Sequence, residues 1–302
     1  MPRKITVSTL SLRPGGGPRT VEMNLATAER LLERAALSKP DIVCLPELFP
    51  QIGMPVQEWV PTAETVPGPI TDRIGALARR HNMYVVCPTL EKRGGRVYNA
   101  GVLLDRQGQV AGIYHKVHPT ISEVEAGVTP GSRVEVFEAD FGRVAILICF
   151  DIMWPGRWAE AKDRGAELLF WPSAYEGGLP LQARACDHEL YVVSCTPVWV
   201  NHILDITGYP IASTGQRLDI ATTQIDLERR LFSTDYNMAQ VQAIQTKYGP
   251  RVRFNVLSPE GAFTLESDDP AVTVADLAKE FGLETLQDYR VRSGAAQGGA
   301  RR

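Results

Sequence analysis

Three polar residues in this 302-residue chain stand directly beyond runs of apolar, largely β-branched residues. Glu47 follows Asp41-Ile-Val-Cys-Leu-Pro, Lys116 follows Ile113-Tyr-His, and Cys149 follows Val144-Ala-Ile-Leu-Ile. Singly, each has an ordinary reading: a helix-terminal carboxylate, a solvated lysine, an inert buried thiol. Together they are a base, a cation and a sulfur nucleophile, the parts needed for acyl transfer through a thioester. A thiol near its reference pKa of about 8.5 is mostly protonated at neutral pH, so it needs a base or a cation beside it. The separations are 69 residues from Glu47 to Lys116 and 33 from Lys116 to Cys149, too long for a local motif. Only a fold can assemble the set, and strand ends in layered α/β folds converge on a cleft.

The elements that must position them are legible as periodic stretches. Short β-branched runs at 5–12, 41–45, 84–90, 97–104, 110–115, 134–137, 144–148, 168–171, 191–196 and 222–226 predict strands. Amphipathic patterns at 21–37, 70–81, 157–164 and 179–190 predict helices. In the first, Leu25, Ala28, Leu31, Leu32 and Ala35 make one apolar stripe. Gly turns at 105–108 and 139–142 join neighbouring strands, so hairpins sit among βαβ units and the sheets are mixed. Helices for only one outer face of each sheet predict a four-layer α-β-β-α sandwich. Residues 1–230 read as one α/β domain. Residues 231–302 read as an extension that buries its apolar side chains on that domain or on a partner subunit, with the last ten or so frayed. Biased composition is confined to the Gly/Pro stretch 14–18 and the Gly/Ala/Arg-rich end.

Composition removes several classes. With 44% hydrophobic and 22% charged residues the chain is ordinary globular protein, and a net charge of −3 demands no nucleic acid. No apolar stretch approaches the roughly 18 residues that span a bilayer, so no membrane association is expected. Five scattered cysteines without a CxxC pair fit reduced thiols in the cytoplasm. There is no GxSxG elbow, phosphate loop, HExxH or GxGxxG. His115 and His118 without a third ligand are a weak metal signal.

The three segments resemble the signature regions of the nitrilase, or carbon-nitrogen hydrolase, superfamily. Leu45-Pro-Glu-Leu-Phe resembles its LPE segment, Tyr114-His-Lys-Val-His its YRKxH segment, and Phe141-Gly-Arg-Val-Ala-Ile-Leu-Ile-Cys-Phe-Asp its FGRxGxxICYD segment. Trp171-Pro-Ser-Ala resembles its NPSA stretch, with Trp where Asn is common. The resemblance covers about residues 4–228 and implies the same sandwich. It implies Glu47, Lys116 and Cys149 as the catalytic set, the Phe150 N–H as an oxyanion donor, and a second glutamate, Glu123 or Glu125. It further implies association into a homodimer or larger homo-oligomer, and a reaction that needs neither metal nor cofactor. Asp151 two residues after Cys149 is as in amidase-like and carbamoylase-like branches, so the expected substrate is a small amide or N-carbamoyl compound. A nitrilase proper or an amide-using acyltransferase is the alternative on the same site. Trp154, Tyr175 and Trp199 are candidate pocket walls, and Arg157 or Arg184 a candidate partner for a substrate carboxylate. A catalytically silent interaction protein would be expected to lose one of the three residues, and none is lost. A thiol redox protein would need a resolving cysteine near Cys149, and none lies close in sequence.

Overall fold

Local chemistry sets the first elements of the chain, seen in a computed structural model that describes residues 2–13, 19–198 and 200–301. The stretch 14–18 and Trp199 lie outside the described residues. Strand β1 (Lys4–Leu10) leads to helix α1 (Val21–Ala36), whose N-cap Thr20 accepts the Met23 N–H and whose apolar stripe is buried. Then come β2 (Ile42–Cys44), α2 (Pro69–His81), the long hairpin β3 (Tyr84–Arg93) and β4 (Arg96–Leu104), β5 (Val110–His115) and the short α3 (Ile121–Glu125). Next are β6 (Val136–Ala139), β7 (Gly142–Ile146), α4 (Pro155–Asp163), β8 (Leu168–Pro172), α5 (Gly178–His188) and β9 (Tyr191–Cys195). β10 (His202–Leu204), β11 (Pro210–Ser213) and β12 (Ile220–Asp226) complete this part.

The chain divides into two compact units, Ile5–Ile225 and Asp226–Arg302 with the first four residues. In the larger unit two six-stranded mixed sheets run in the orders β12-β1-β2-β3-β4-β5 and β11-β10-β9-β8-β7-β6. Parallel pairs β1/β2/β3 and β7/β8/β9 sit at the sheet centres, and the hairpins flank them. The sheets face each other closely: a Cβ on Gly101 of β4 would lie 2.6 Å from Ile146 of β7. Outside the first sheet, α2 approaches the β4–β5 turn so tightly that a Cβ on Gly75 would meet the Gly108 carbonyl oxygen at 2.4 Å, which only glycine allows. Across the second, α4 buries Trp158 and Ala161, and α5 buries Leu181 and Ala185. This is the expected α-β-β-α sandwich. β10 and β11 have no counterpart in the apolar runs because they are three and four residues long.

The smaller unit has its own architecture where the sequence suggested an irregular extension. β13 (Arg230–Ser233), α6 (Thr234–Tyr248), β14 (Val252–Leu257), β15 (Ala262–Ser267), α7 (Val274–Phe281) and α8 (Leu286–Ala300) follow in order, with an antiparallel sheet β13-β15-β14. Phe232, Ile244, Phe263, Leu265 and Leu277 make its core. Instead of a frayed tail, residues up to Ala300 are helical in α8, none of whose residues is buried. That is why no apolar period marks it. Among the described residues, no helix is long and apolar enough to cross a membrane.

Candidate active site

β2 and β5 of one sheet deliver Glu47 and Lys116. Lys116 is 1% exposed, and its Nζ donates to Glu47 Oε1 and Glu123 Oε2, each at 2.7 Å. Buried Asn99 of β4 donates through Nδ2 to Glu47 Oε1 at 2.9 Å and to Glu123 Oε1 at 2.8 Å. Carboxylates only accept, so the amide nitrogen must be the atom facing both. Glu123 is also pinned by a capping box at the start of α3: Thr120 Oγ1 accepts the Glu123 N–H and Glu123 Oε2 accepts the Thr120 N–H. Glu125, at the end of the same helix, is exposed. Of the two glutamates, then, Glu123 stands in the site; Ser122-x-x-Glu125 has the same capping-box spacing as Thr120-x-x-Glu123, so the pattern alone does not separate them. Burial works to raise the Glu123 pKa, but Lys116, the Thr120 amide and Asn99 hold it below the ordinary carboxylate value. Burial likewise opposes the charge on Lys116. Glu47, the Cys149 sulfur and Glu123 outweigh it and raise the lysine's pKa.

The second sheet delivers the thiol. Beyond β7 the chain turns into a short 3-10 helix, Cys149–Met153, and Cys149 itself adopts φ 47°, the left-handed region that L-residues seldom occupy. Such backbone clusters at functional sites. Here Leu48, next to Glu47, and Cys149 have it at the site, whereas Asn82 and Glu189 have it as helix C-caps. Trp171 of β8 donates from its indole to the Cys149 carbonyl at 3.0 Å and braces the turn. The Ser173 hydroxyl and Ala174 N–H reach the sulfur. Burial, then the Glu47 carboxylate, push the thiol up to about 12, against the opposing pull of Lys116, Ser173 and Ala174. At neutral pH Cys149 is therefore a thiol.

Buried Asp151 ties the two halves. It accepts the Ile148 N–H at 2.9 Å and the Tyr114 hydroxyl at 2.7 Å on one oxygen, and the His118 N–H at 2.9 Å on the other. One carboxylate thus fastens the turn of Cys149 to the segment of Lys116. Burial pushes its pKa up to about 6 in spite of those donors.

Glu47, Lys116, Glu123 and Cys149 line one cavity of about 330 Å³, together with Leu48, Gln51, Ile52 and Trp59. The proposed substrate contacts Trp154, Tyr175 and Arg157 are not among its lining residues. Trp154 stacks on His118 with ring centroids 3.8 Å apart and meets Phe150 edge-on. Arg157 pairs with Glu160 and donates to His118 Nε2, and Arg184 pairs with Asp187. Tyr175 lies edge-on to Trp171, close enough that Cys149 and Glu47 add to burial in raising its pKa. His115 and His118 serve separate partners: His115 bonds Glu91 and stacks on Tyr98. Asn99 and the Leu48–Trp59 wall went unread because Asn99 is one polar residue inside a strand and the wall is built on short 3-10 turns without a period.

The sequence profile of carbon-nitrogen hydrolases matches residues 7–230. An omega-amidase NIT2 of Xenopus tropicalis is 26% identical over 231 residues, covering 68% of this chain and 83% of the relative. The nitrilase and fragile histidine triad fusion protein NitFhit of Caenorhabditis elegans is 27% identical over 243 residues, 68% of this chain but only 54% of the fusion protein, so the match spans little more than half of that relative's length. Among solved structures, Saccharomyces cerevisiae Nit3 superposes with a TM-score of 0.65 at 21% identity, covering 82% of this chain and 95% of its own. An amidase from Nesterenkonia sp. also gives 0.65, at 19% identity over 81% of this chain and 95% of its own.

Proposed function

The chain belongs to the carbon-nitrogen hydrolase family, and from that premise we propose that it hydrolyses a small amide through a thioester on Cys149, with Glu47 as general base and acid and Lys116 facing the oxyanion. The observation that carries this reading is the single cavity shared by Glu47, Lys116, Glu123 and Cys149. An omega-amidase and an amidase among the similar proteins support the amide as substrate.

The thiol's pKa of about 12 dictates the order of events. Glu47 takes the Sγ proton as sulfur bonds to the carbonyl carbon, since no thiolate is stored beforehand. Charge gathering on the carbonyl oxygen meets Lys116 Nζ and the Phe150 N–H. That amide belongs to the second residue of the 3-10 turn Cys149–Met153 and so has no carbonyl three residues upstream within it. One such donor is typically worth ~3 kcal/mol to the transition state. The C–N bond then breaks, Glu47 returns the proton to the leaving nitrogen, and ammonia or an amine departs. Glu47 next takes a proton from water, whose oxygen attacks the thioester. The C–S bond breaks, the acid leaves and the thiol is reprotonated. Glu123 and Asn99 keep Lys116 and Glu47 in register throughout.

We place the enzyme in the cytoplasm as a homo-oligomer. None of the five cysteines is in a disulfide, which suits a reducing compartment. Ile121, Met153, Trp154 and Leu179, on segments that follow the strands of the site, are exposed apolar residues of the kind that subunit contacts cover.

Mass spectrometry with a slowly cleaved amide tests the reading. An acyl adduct is expected on Cys149, with neither adduct nor ammonia in Cys149→Ala, and Glu47→Gln should slow ammonia release by about 10²- to 10⁴-fold. An adduct on Cys44, Cys87, Cys186 or Cys195 instead would refute it.

A further inference from the structure

The cavity wall specifies the charge of the substrate, given the amide-hydrolysing reading above. Among the described lining residues Lys116 is the one cation, and Glu47 and Glu123 already hold it at 2.7 Å. Two carboxylates against one ammonium leave the cavity negative, so an acyl group with its own carboxylate is repelled and finds no counter-ion once desolvated. Arg157 pairs with Glu160 at 2.9 Å and Arg184 lies 3.9 Å from Asp187, and neither arginine is in the lining. Arg19, whose stem runs beside Gly53 in the wall, turns its guanidinium to Asn24, Thr27 and the Met23 carbonyl.

Gln51 adds a direction. It lines the cavity, is 1% exposed, and donates from Nε2 to Thr62 Oγ1 at 3.0 Å. The single Thr62 hydroxyl proton goes to the Trp59 carbonyl at 2.7 Å, so Thr62 can only accept from Gln51 and the amide cannot be turned over. Gln51 Oε1 is left as an acceptor with no partner among the described residues, closed to water in this geometry, so a donor on the substrate meets it only as the side chain yields. Leu48, Ile52 and Trp59 around it are apolar.

We propose that the Cys149 site takes an uncharged acyl group that lies against Leu48, Ile52 and Trp59 and donates one hydrogen bond, from a hydroxyl or N–H, to Gln51 Oε1. The cavity of about 330 Å³ suits a small acyl group. Amides that carry a free carboxylate are poor substrates.

Ammonia release from straight-chain amides of matched lengths, ending in a methyl, a hydroxymethyl or a carboxylate, tests this. The methyl- and hydroxyl-ended series should exceed the carboxylate-ended one by about tenfold or more in kcat/KM, with the hydroxyl-ended series best at one length. Gln51→Leu should cut the hydroxyl-to-methyl ratio about tenfold, the loss of one hydrogen bond. Gln51→Glu, which keeps an acceptor and adds charge, should raise an ammonium-ended amide relative to the hydroxyl-ended one. Preference for the carboxylate-ended amides, abolished in Cys149→Ala, would overturn the proposal and leave the hydrolase reading standing. Equal losses for hydroxyl- and methyl-ended amides in Gln51→Leu would remove Gln51 from it. If no series released ammonia in a Cys149-dependent way, the hydrolase reading itself would fall.

Discussion

The two six-stranded sheets equip the cavity in opposite ways. The sheet containing β2, β4 and β5 supplies the ions and their donor: Glu47 beyond β2, Asn99 within β4, Lys116 beyond β5 and Glu123 just after. The sheet containing β7 and β8 supplies a neutral sulfur held by neutral groups: Cys149 beyond β7, Trp171 within β8 and Ser173 next to it. On the first side charges satisfy one another through hydrogen bonds of 2.7–2.9 Å. On the second a single residue sits in a left-handed turn and keeps its proton. Neither half is reactive alone. In the proposed reaction a substrate carbonyl lets the carboxylate of one sheet draw the proton from the thiol of the other, which would confine reactivity to the bound state.

That asymmetry predicts different penalties for disarming each side. Lys116→Ala should abolish turnover and also cost the fold about 3–5 kcal/mol, because it strands two buried carboxylates without their cation. Cys149→Ala should abolish turnover while changing stability by less than about 1.5 kcal/mol, since it removes only one sulfur's packing. Similar urea midpoints for the two variants would break the comparison. A smaller effect is expected for Asn99→Leu. Asn99 bonds both glutamates but is absent from the cavity wall, so kcat should fall about 10- to 100-fold with KM little changed. A rise in KM at constant kcat would show that it acts on binding and does not position Glu47.

Asp151→Asn probes the fastening between the sheets and should be milder still. Three donors converge on two carboxylate oxygens, so an amide nitrogen must confront one of them, at a cost of about 1–3 kcal/mol. The cost should depend on pH. In the fold Asp151 titrates at about 6, above the roughly 4 of an unfolded chain, so its contribution is complete below about pH 4 and is lost as pH rises through 6. The variant's deficit in urea unfolding should therefore be larger at pH 5 than at pH 8 by about 1–2 kcal/mol. A deficit equal at both values would mean that Asp151 does not titrate in that range.

The same contrast marks what could be read from the chain. Glu47, Lys116 and Cys149 are legible because each ends an apolar run, and most helices because one face repeats. Glu123 and Glu125 are not separable in the sequence, since Thr120-x-x-Glu123 and Ser122-x-x-Glu125 both have capping-box spacing; the Lys116 and Asn99 contacts single out Glu123. Asn99 was not legible: strand pairing brings it to the glutamates, with the Lys116 N–H bonded to its carbonyl at 2.8 Å. Trp154 and Arg157 show the converse, lying outside the cavity lining. They are near Cys149 in sequence, but the start of α4 carries Arg157 to Glu160, and Trp154 stacks on His118. In the smaller unit, α6 buries Asn237, Val241, Ile244 and Tyr248 at helical spacing, but a stripe that opens on a polar residue and holds three apolar ones is faint, and α8 buries nothing.

The protonated state of Cys149 also decides how the enzyme ages. Peroxides oxidise thiolates, and a pKa of about 12 leaves on the order of one sulfur in 10⁵ ionised at neutral pH. Between turnovers the nucleophile is thus shielded from oxidants by the same burial that makes it wait for substrate. Cys186 is the one exposed thiol of the five. Peroxide is therefore expected to oxidise Cys186 before Cys149, an order that differential alkylation reads directly, and idle enzyme should keep its activity through an exposure that modifies Cys186.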